Sequence, residues 1–221
     1  MITTSKQVTK HFHSTEFRCK CGCGRIKIEE RLVNNMEKVF EKLNASKCII
    51  SSGYRCDSYD KKIGGFVGQH AKGYASDCIY YDKNGKIIPS KIVICVAYDL
   101  DLFRGIAKIN NNYTHLDIRS SGYYKGDETV SNNSVWTNPY TYFKVSKEDV
   151  AKYTGEKVVK KVYKTVTNCT WLNLRKSASY GNNIYKSVKA GTKVEYLGLS
   201  NGWAKIKYKG KTLYCGKNYL K

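Results

Sequence analysis

The stretch Gln69-His70-Ala71-Lys72-Gly73-Tyr74-Ala75-Ser76-Asp77, answered further on by Tyr113-Thr114-His115-Leu116-Asp117-Ile118-Arg119, decides the fold. Asp77 opens the run Asp77-Cys78-Ile79-Tyr80-Tyr81, which reads as a buried strand closed by the turn residues Asp82-Lys83-Asn84-Gly85. Gly73, without a Cβ, permits the chain to turn back between His70 and that strand, so both present a side chain of ligand type. Residues i and i+2 of a strand share a face, which points His115 and Asp117 the same way. Two imidazoles and a carboxylate leave a tetrahedral Zn2+ one open corner, as in a catalytic rather than a closed structural site. Spacing alone leaves hydrogen-bonded structural histidines open as the alternative.

Working outward, Ile28 to Leu43 places apolar side chains at 32, 33, 36, 39, 40 and 43, the spacing of an amphipathic helix. Cys48-Ile49-Ile50 reads as a short strand ending at Ser51-Ser52-Gly53. Ser90 is expected to cap a second, buried helix reaching about residue 99, and a strand pair is expected at 105–109 and 113–118. Residues 1–143 therefore read as an α+β domain. Residues 144–164, rich in Lys, Glu, Val and Tyr without a helical stripe, read as a linker. Residues 165–221 show short β-type runs punctuated by turns, the pattern of a small all-β barrel.

The 221 residues carry 39 Lys and Arg against 18 Asp and Glu, a formal charge of +21 that suits a polyanionic partner: nucleic acid, an acidic membrane face or a bacterial wall with phosphate polymers. No run of about 18 apolar residues is present, which argues against membrane insertion. Lysines spread over linker and barrel without a reading motif argue against specific nucleic-acid binding. The opening Met1-Ile2-Thr3-Thr4-Ser5-Lys6-Gln7 lacks the apolar core of a signal peptide, so synthesis in the cytoplasm is expected. Nine cysteines without such a signal imply mostly free thiols. Cys19, Cys21 and Cys23 alternate and, with a fourth ligand such as Cys56, would make a structural zinc site. The usual C-x2-C spacing is missing, however, and the reading taken is a loop of reduced thiols.

Ser52-Gly53-Tyr54-Arg55, then Gly64-Gly65 leading to His70-x-x-Gly73-x-Ala75-x-Asp77, then Gly105-Ile106 leading to Thr114-His115-Leu116-Asp117-Ile118-Arg119, resembles the zinc D-alanyl-D-alanine carboxypeptidase-like peptidoglycan peptidases. The resemblance covers about residues 10 to 120, including Phe12, Glu16-Phe17 and Cys19 to Gly24. It implies a small antiparallel sheet flanked by helices, one catalytic Zn2+ held by His70, Asp77 and His115, and Arg55 facing the substrate. Such a metal activates its water while a carboxylate carries the proton. Many relatives place that carboxylate three residues before the second zinc histidine, where this chain has Asn112. Asp117 is nominated instead, with the alternative that it orients a ligating histidine. Gly68 stands where the family often has Ser. Arg55 is expected to pair with a substrate carboxylate, the alternative being an ion pair to Asp57 or Asp60.

Residues from about 165 resemble the bacterial Src-homology-3-type domain of cell-wall hydrolases, through Leu172-Asn173-Leu174-Arg175, Lys189-Ala190-Gly191-Thr192-Lys193-Val194 and Asn201-Gly202-Trp203-Ala204-Lys205-Ile206. Trp171, Tyr180, Tyr185 or Tyr214 are expected to form its wall-binding platform, and Trp203 to be core. Together the resemblances imply a zinc-dependent peptidoglycan peptidase, of phage or prophage endolysin type, cleaving an amide bond in the stem peptide or cross-bridge after release to the wall. The alternatives are a carboxypeptidase trimming terminal D-alanine, or an inactive wall-binding protein.

Overall fold

The computed structural model describes residues 1–64, 68–130, 134–158 and 161–221. The chain divides into two compact units, Met1–Val158 and Val159–Lys221. After a 3-10 turn at Ser14–Phe17, the first unit runs α1 (Glu30–Lys42), β1 (Lys47–Ser52), α2 (Asp57–Lys62), α3 (Gln69–Lys72), β2 (Ala75–Tyr81), α4 (Ser90–Leu100), β3 (Gly105–Lys108), β4 (Thr114–Asp117), β5 (Tyr124–Asp127), β6 (Ser134–Val135), α5 (Pro139–Tyr142) and α6 (Lys147–Thr154). Its sheet has the order β1-β2-β4-β3-β5-β6.

This sheet differs from the expected antiparallel one in a single pair, since β5 runs parallel to β3. The short connection after β4 steps past the end of β3, so β5 starts antiparallel to β4 and hence parallel to the strand between them. Helix α1 buries Leu32, Val33, Met36, Val39 and Phe40, the stripe read from sequence. Helix α4 is apolar nearly all round because it packs on β3, β4, α1, α5 and α6 at once. Ser90 is not its cap: Pro89 holds that position, Ser90 is the first helical residue, and its hydroxyl donates to the Asn110 carbonyl at 2.6 Å.

Part of the stretch 144–164, read as a linker, belongs to the first core, where Val145 and Val150 are buried. Ser146 and Asp149 form a capping box that starts α6, a Ser-x-x-Asp signature visible in the sequence. Gly65 of the Gly64-Gly65 motif lies outside the described residues.

The second unit holds β7 (Val162–Thr165), β8 (Trp171–Arg175), β9 (Ile184–Lys189), β10 (Lys193–Ser200), β11 (Trp203–Tyr208) and β12 (Lys211–Gly216), ordered β7-β10-β11-β12-β8-β9. Every strand pair is antiparallel. Among the described residues no strand pairing joins β9 to β7, so the expected barrel is observed as a six-stranded sheet. Alternation along β8 and β11 sends Leu172, Leu174, Ala204 and Ile206 into a core completed by Val188, Val194, Leu213 and Cys215. Trp203, expected in that core, is only partly buried.

Candidate metal centre

Strand register assembles the centre. Asp77 on β2 sits opposite His115 on β4, and His115 opposite Ala107 on β3, which in turn faces Gly126 on β5. The neighbouring row reads Ala75, Asp117, Gly105. Small residues on the flanking strands leave room on this face for the large polar side chains. At Gly105 the fit is closest: a Cβ there would stand 1.8 Å from Asp117 Oδ2. His70 arrives from the one-turn helix α3, which ends at Gly73 in a left-handed conformation (φ 75°). A Cβ at Gly73 would meet the Lys27 carbonyl at 2.4 Å, so the turn back into β2 requires glycine on two counts.

His70 Nδ1 donates to the Gly53 carbonyl at 2.8 Å, which directs Nε2 at Asp77 Oδ1, 3.3 Å away. His115 Nδ1 is 2.9 Å from the same oxygen, and His115 Nε2 is 3.0 Å from Asp117 Oδ2. Arg55 occupies the other Asp77 oxygen, its Nη2 donating to Oδ2 at 2.8 Å. One donor atom from each of His70, Asp77 and His115 lies within 4.8 Å of the others, and all three residues are buried. Two neutral-capable imidazoles and one carboxylate, each with its second polar atom anchored, form a donor set that fits a zinc ion.

Charges follow these contacts. Burial opposes ionisation of Asp77, but hydrogen bonds from His115 and His70 outweigh it and hold the carboxyl well below the usual range. Burial likewise disfavours a charged His115, yet Asp117 and Asp77 together push it up to about 9. Asp117 is fully buried, and Arg119 followed by His115 overcomes that burial to keep it ionised far below its ordinary range.

Asp117 shares the His115 face as expected, and both of its oxygens are engaged. Its Oδ2 is taken by His115 and Arg119, and its Oδ1 by the Arg119 backbone N–H at 3.0 Å and Nε at 2.9 Å. These contacts favour the alternative expectation, a carboxylate that orients a ligating histidine. Arg55, expected toward substrate, is turned inward: Nε donates to Ser52 Oγ at 2.7 Å, Nη1 to Asp60 Oδ1 at 3.2 Å, and Nη2 to Asp77. Asp60 was one of the two alternatives, but the bridge to Asp77 was not legible from spacing. Asn112 is exposed, and its backbone N–H donates to Asn110 Oδ1. Sequence reasoning missed Tyr124, whose ring meets His115 edge-on at 6.0 Å and whose hydroxyl donates to Glu128 Oε1 at 3.0 Å.

In the second unit Trp171, Arg175, Tyr180, Trp203 and Tyr219 line a hollow of about 250 Å3. Tyr180 meets Trp203 edge-on at 4.8 Å, and the Arg175 guanidinium lies over both rings.

Comparison with known proteins follows the same division. The family Peptidase M15 matches residues 10–117, and the family Bacterial SH3 domain matches residues 171–221. The chain is 43% identical over 76 residues to "Probable endopeptidase p60" of Listeria welshimeri, and 42% over 76 residues to the protein of that name in Listeria seeligeri. The similarity to that of Listeria innocua is 45% over 69 residues. These stretches are 34%, 34% and 30% of this chain, and the chain spans only 14% of each relative's length. The chain is thus similar to the Peptidase M15 family over residues 10–117 and to the bacterial SH3 domain over residues 171–221.

Proposed function

We propose that this protein is a zinc-dependent peptidoglycan peptidase that hydrolyses an amide bond of the wall's stem peptide or cross-bridge, held on its substrate by the second unit. The observation that carries this reading is the convergence of His70 Nε2, Asp77 Oδ1 and His115 Nδ1, each backed by an anchor: Gly53 O, Arg55 and Asp117. Zinc bound there supplies Lewis acidity toward a scissile carbonyl and an acidified water. Asp117 keeps the His115 proton on Nε2 and so presents Nδ1 as a lone pair. Arg55 ties up Asp77 Oδ2, leaving Oδ1 as a single-oxygen ligand. Proton transfer is assigned to Glu128, an exposed carboxylate joined to the His115 neighbourhood through the Tyr124 hydroxyl.

Wall attachment is assigned to the hollow around Trp171, Tyr180 and Trp203, and its charge supports the choice. Residues 159–221 hold fourteen Lys and Arg against Glu195 alone, so thirteen of the twenty-one net positive charges fall on this unit. Such a surface attracts anionic wall polymers over a long range. An endolysin role, acting on the wall after release from the cytoplasm where it is made, is the biological setting that joins these parts. Digestion of purified sacculi by the full chain, with mass spectrometry of the fragments and His70→Ala as control, tests the reading. Internal cleavage with new amino groups is expected. Release of D-alanine alone would instead mark a carboxypeptidase, and metal binding without product would mark an inactive binder.

A further inference from the structure

We propose a second metal site, a structural zinc held by the four thiolates of Cys19, Cys21, Cys23 and Cys56. Their sulfurs all lie within 4.8 Å of one another. Cys19 Sγ to Cys21 Sγ is 3.4 Å and Cys21 Sγ to Cys56 Sγ is 3.6 Å. Zinc–sulfur bonds of about 2.3 Å place the sulfurs of a tetrahedral site about 3.8 Å apart, so the thiols need move only slightly to close on an ion. A disulfide needs about 2.05 Å, far shorter than any of these separations.

Convergence does not come from an extended strand, in which alternate residues would share a face but stay too far apart. The chain turns at residues 20–21, Gly22 takes φ 89°, and the loop is closed by Cys19 N–H donating to the Arg25 carbonyl at 2.9 Å. That turn removes the objection raised by the missing C-x2-C spacing. Two backbone N–H groups already point at the sulfurs: Cys56 N to Cys19 Sγ at 3.3 Å and Cys23 N to Cys21 Sγ at 3.4 Å. Such donors favour thiolates as acceptors. Cys19 and Cys56 are buried, while Cys21 and Cys23 are exposed, which gives the ion an entry side. Binding one Zn2+ releases up to four thiol protons and leaves a net charge of −2, which Arg18, Lys20 and Arg25 in the same segment offset.

Such an ion would clamp the 19–25 loop to Cys56, directly after the residues that hold the first centre, since Gly53 anchors His70 and Arg55 anchors Asp77. The site is independent of that centre's chemistry, and the test separates them. The full chain purified from zinc-containing medium is expected to hold about two zinc ions, the His70→Ala/His115→Ala variant about one, and the Cys21→Ser/Cys23→Ser variant about one. In the histidine variant, Co2+ titration is expected to raise a thiolate-to-cobalt charge-transfer absorption that only sulfur ligands produce. Because Cys21 and Cys23 are exposed, their serine variant keeps its packing, and circular dichroism checks this. A histidine variant with neither zinc nor the charge-transfer band overturns the proposal, as does a disulfide among the four cysteines found by mass mapping.

Discussion

Replacing Gly105 by alanine tests the positioning role of Asp117 without touching a ligand. The added methyl would start 1.8 Å from Asp117 Oδ2, and an ordinary contact of 3.4 Å would require the carboxylate to withdraw by about 1.6 Å. Asp117 has nowhere to go: it is fully buried, opposite Gly105 in register, and tied to His115 and Arg119. Overpacking costs about 1–3 kcal/mol, and losing the charge-assisted bond to His115 about 1.5–3 kcal/mol more, so destabilisation of the metal-free protein by roughly 2.5–6 kcal/mol is expected. Freed from Asp117, the His115 ring loses its fixed tautomer, and zinc affinity should fall about 10- to 100-fold. Urea unfolding of the chelator-treated protein reads the first quantity, and competition against a zinc-binding dye reads the second. Unchanged zinc affinity in Gly105→Ala, with the protein folded, would refute the claim that Asp117 orients His115.

Arg55→Lys should weaken zinc about tenfold or more in the same competition, because an ammonium cannot bridge Asp60 and Asp77 while also reaching Ser52. In the metal-free protein, His115 is raised from an unfolded value near 6.5 to about 9, so its pairing with Asp77 and Asp117 stabilises the fold fully below pH 6.5 and is lost as pH rises through 9. Thermal melts in chelator should therefore drop across that window, and a flat profile would contradict it. Glu128→Gln should lower kcat by about a hundredfold or more on sacculi with zinc content unchanged, and full activity would remove Glu128 from proton transfer. Trp171→Ala, at a residue 55% exposed, should release the protein from sacculi in a pull-down while leaving its melting transition in place.

What was legible in the sequence is what local periodicity controls. The stripe of α1, the alternation of β8 and β11, and the shared face of His115 and Asp117 each depend on a fixed repeat, and each is observed. What was not legible depends on which strand lies beside which. The i, i+2 rule puts Asp117 next to His115 but says nothing of Gly105 on β3, whose missing Cβ makes room for the carboxylate, or of Arg119, which engages both of its oxygens. Arg55 shows the same limit: Asp60 is five residues away, within reach of sequence reasoning, whereas Asp77 reaches it through the β1–β2 pairing. In the second unit the aromatic–polar pattern around Trp203 does not separate core from groove, because strand β11 needs only Ala204 and Ile206 inside.

In the proposed function the two units divide the work along the line where the charge divides. A metal centre built on buried carboxylates needs nearby cations in fixed pairs, and the first unit uses Arg55 and Arg119 in this way, inside the fold. The second unit has almost no carboxylate to pair with, so most of its lysines are left to the solvent and act at a distance that only salt limits. A weak, long-range attraction of this kind holds an enzyme near an insoluble polymer without fixing it to one bond. Tethering then raises the local concentration of substrate at the first unit by the reach of the connection rather than by any contact in the centre. On the proposed function, specificity for the bond resides in the first unit and residence on the wall in the second.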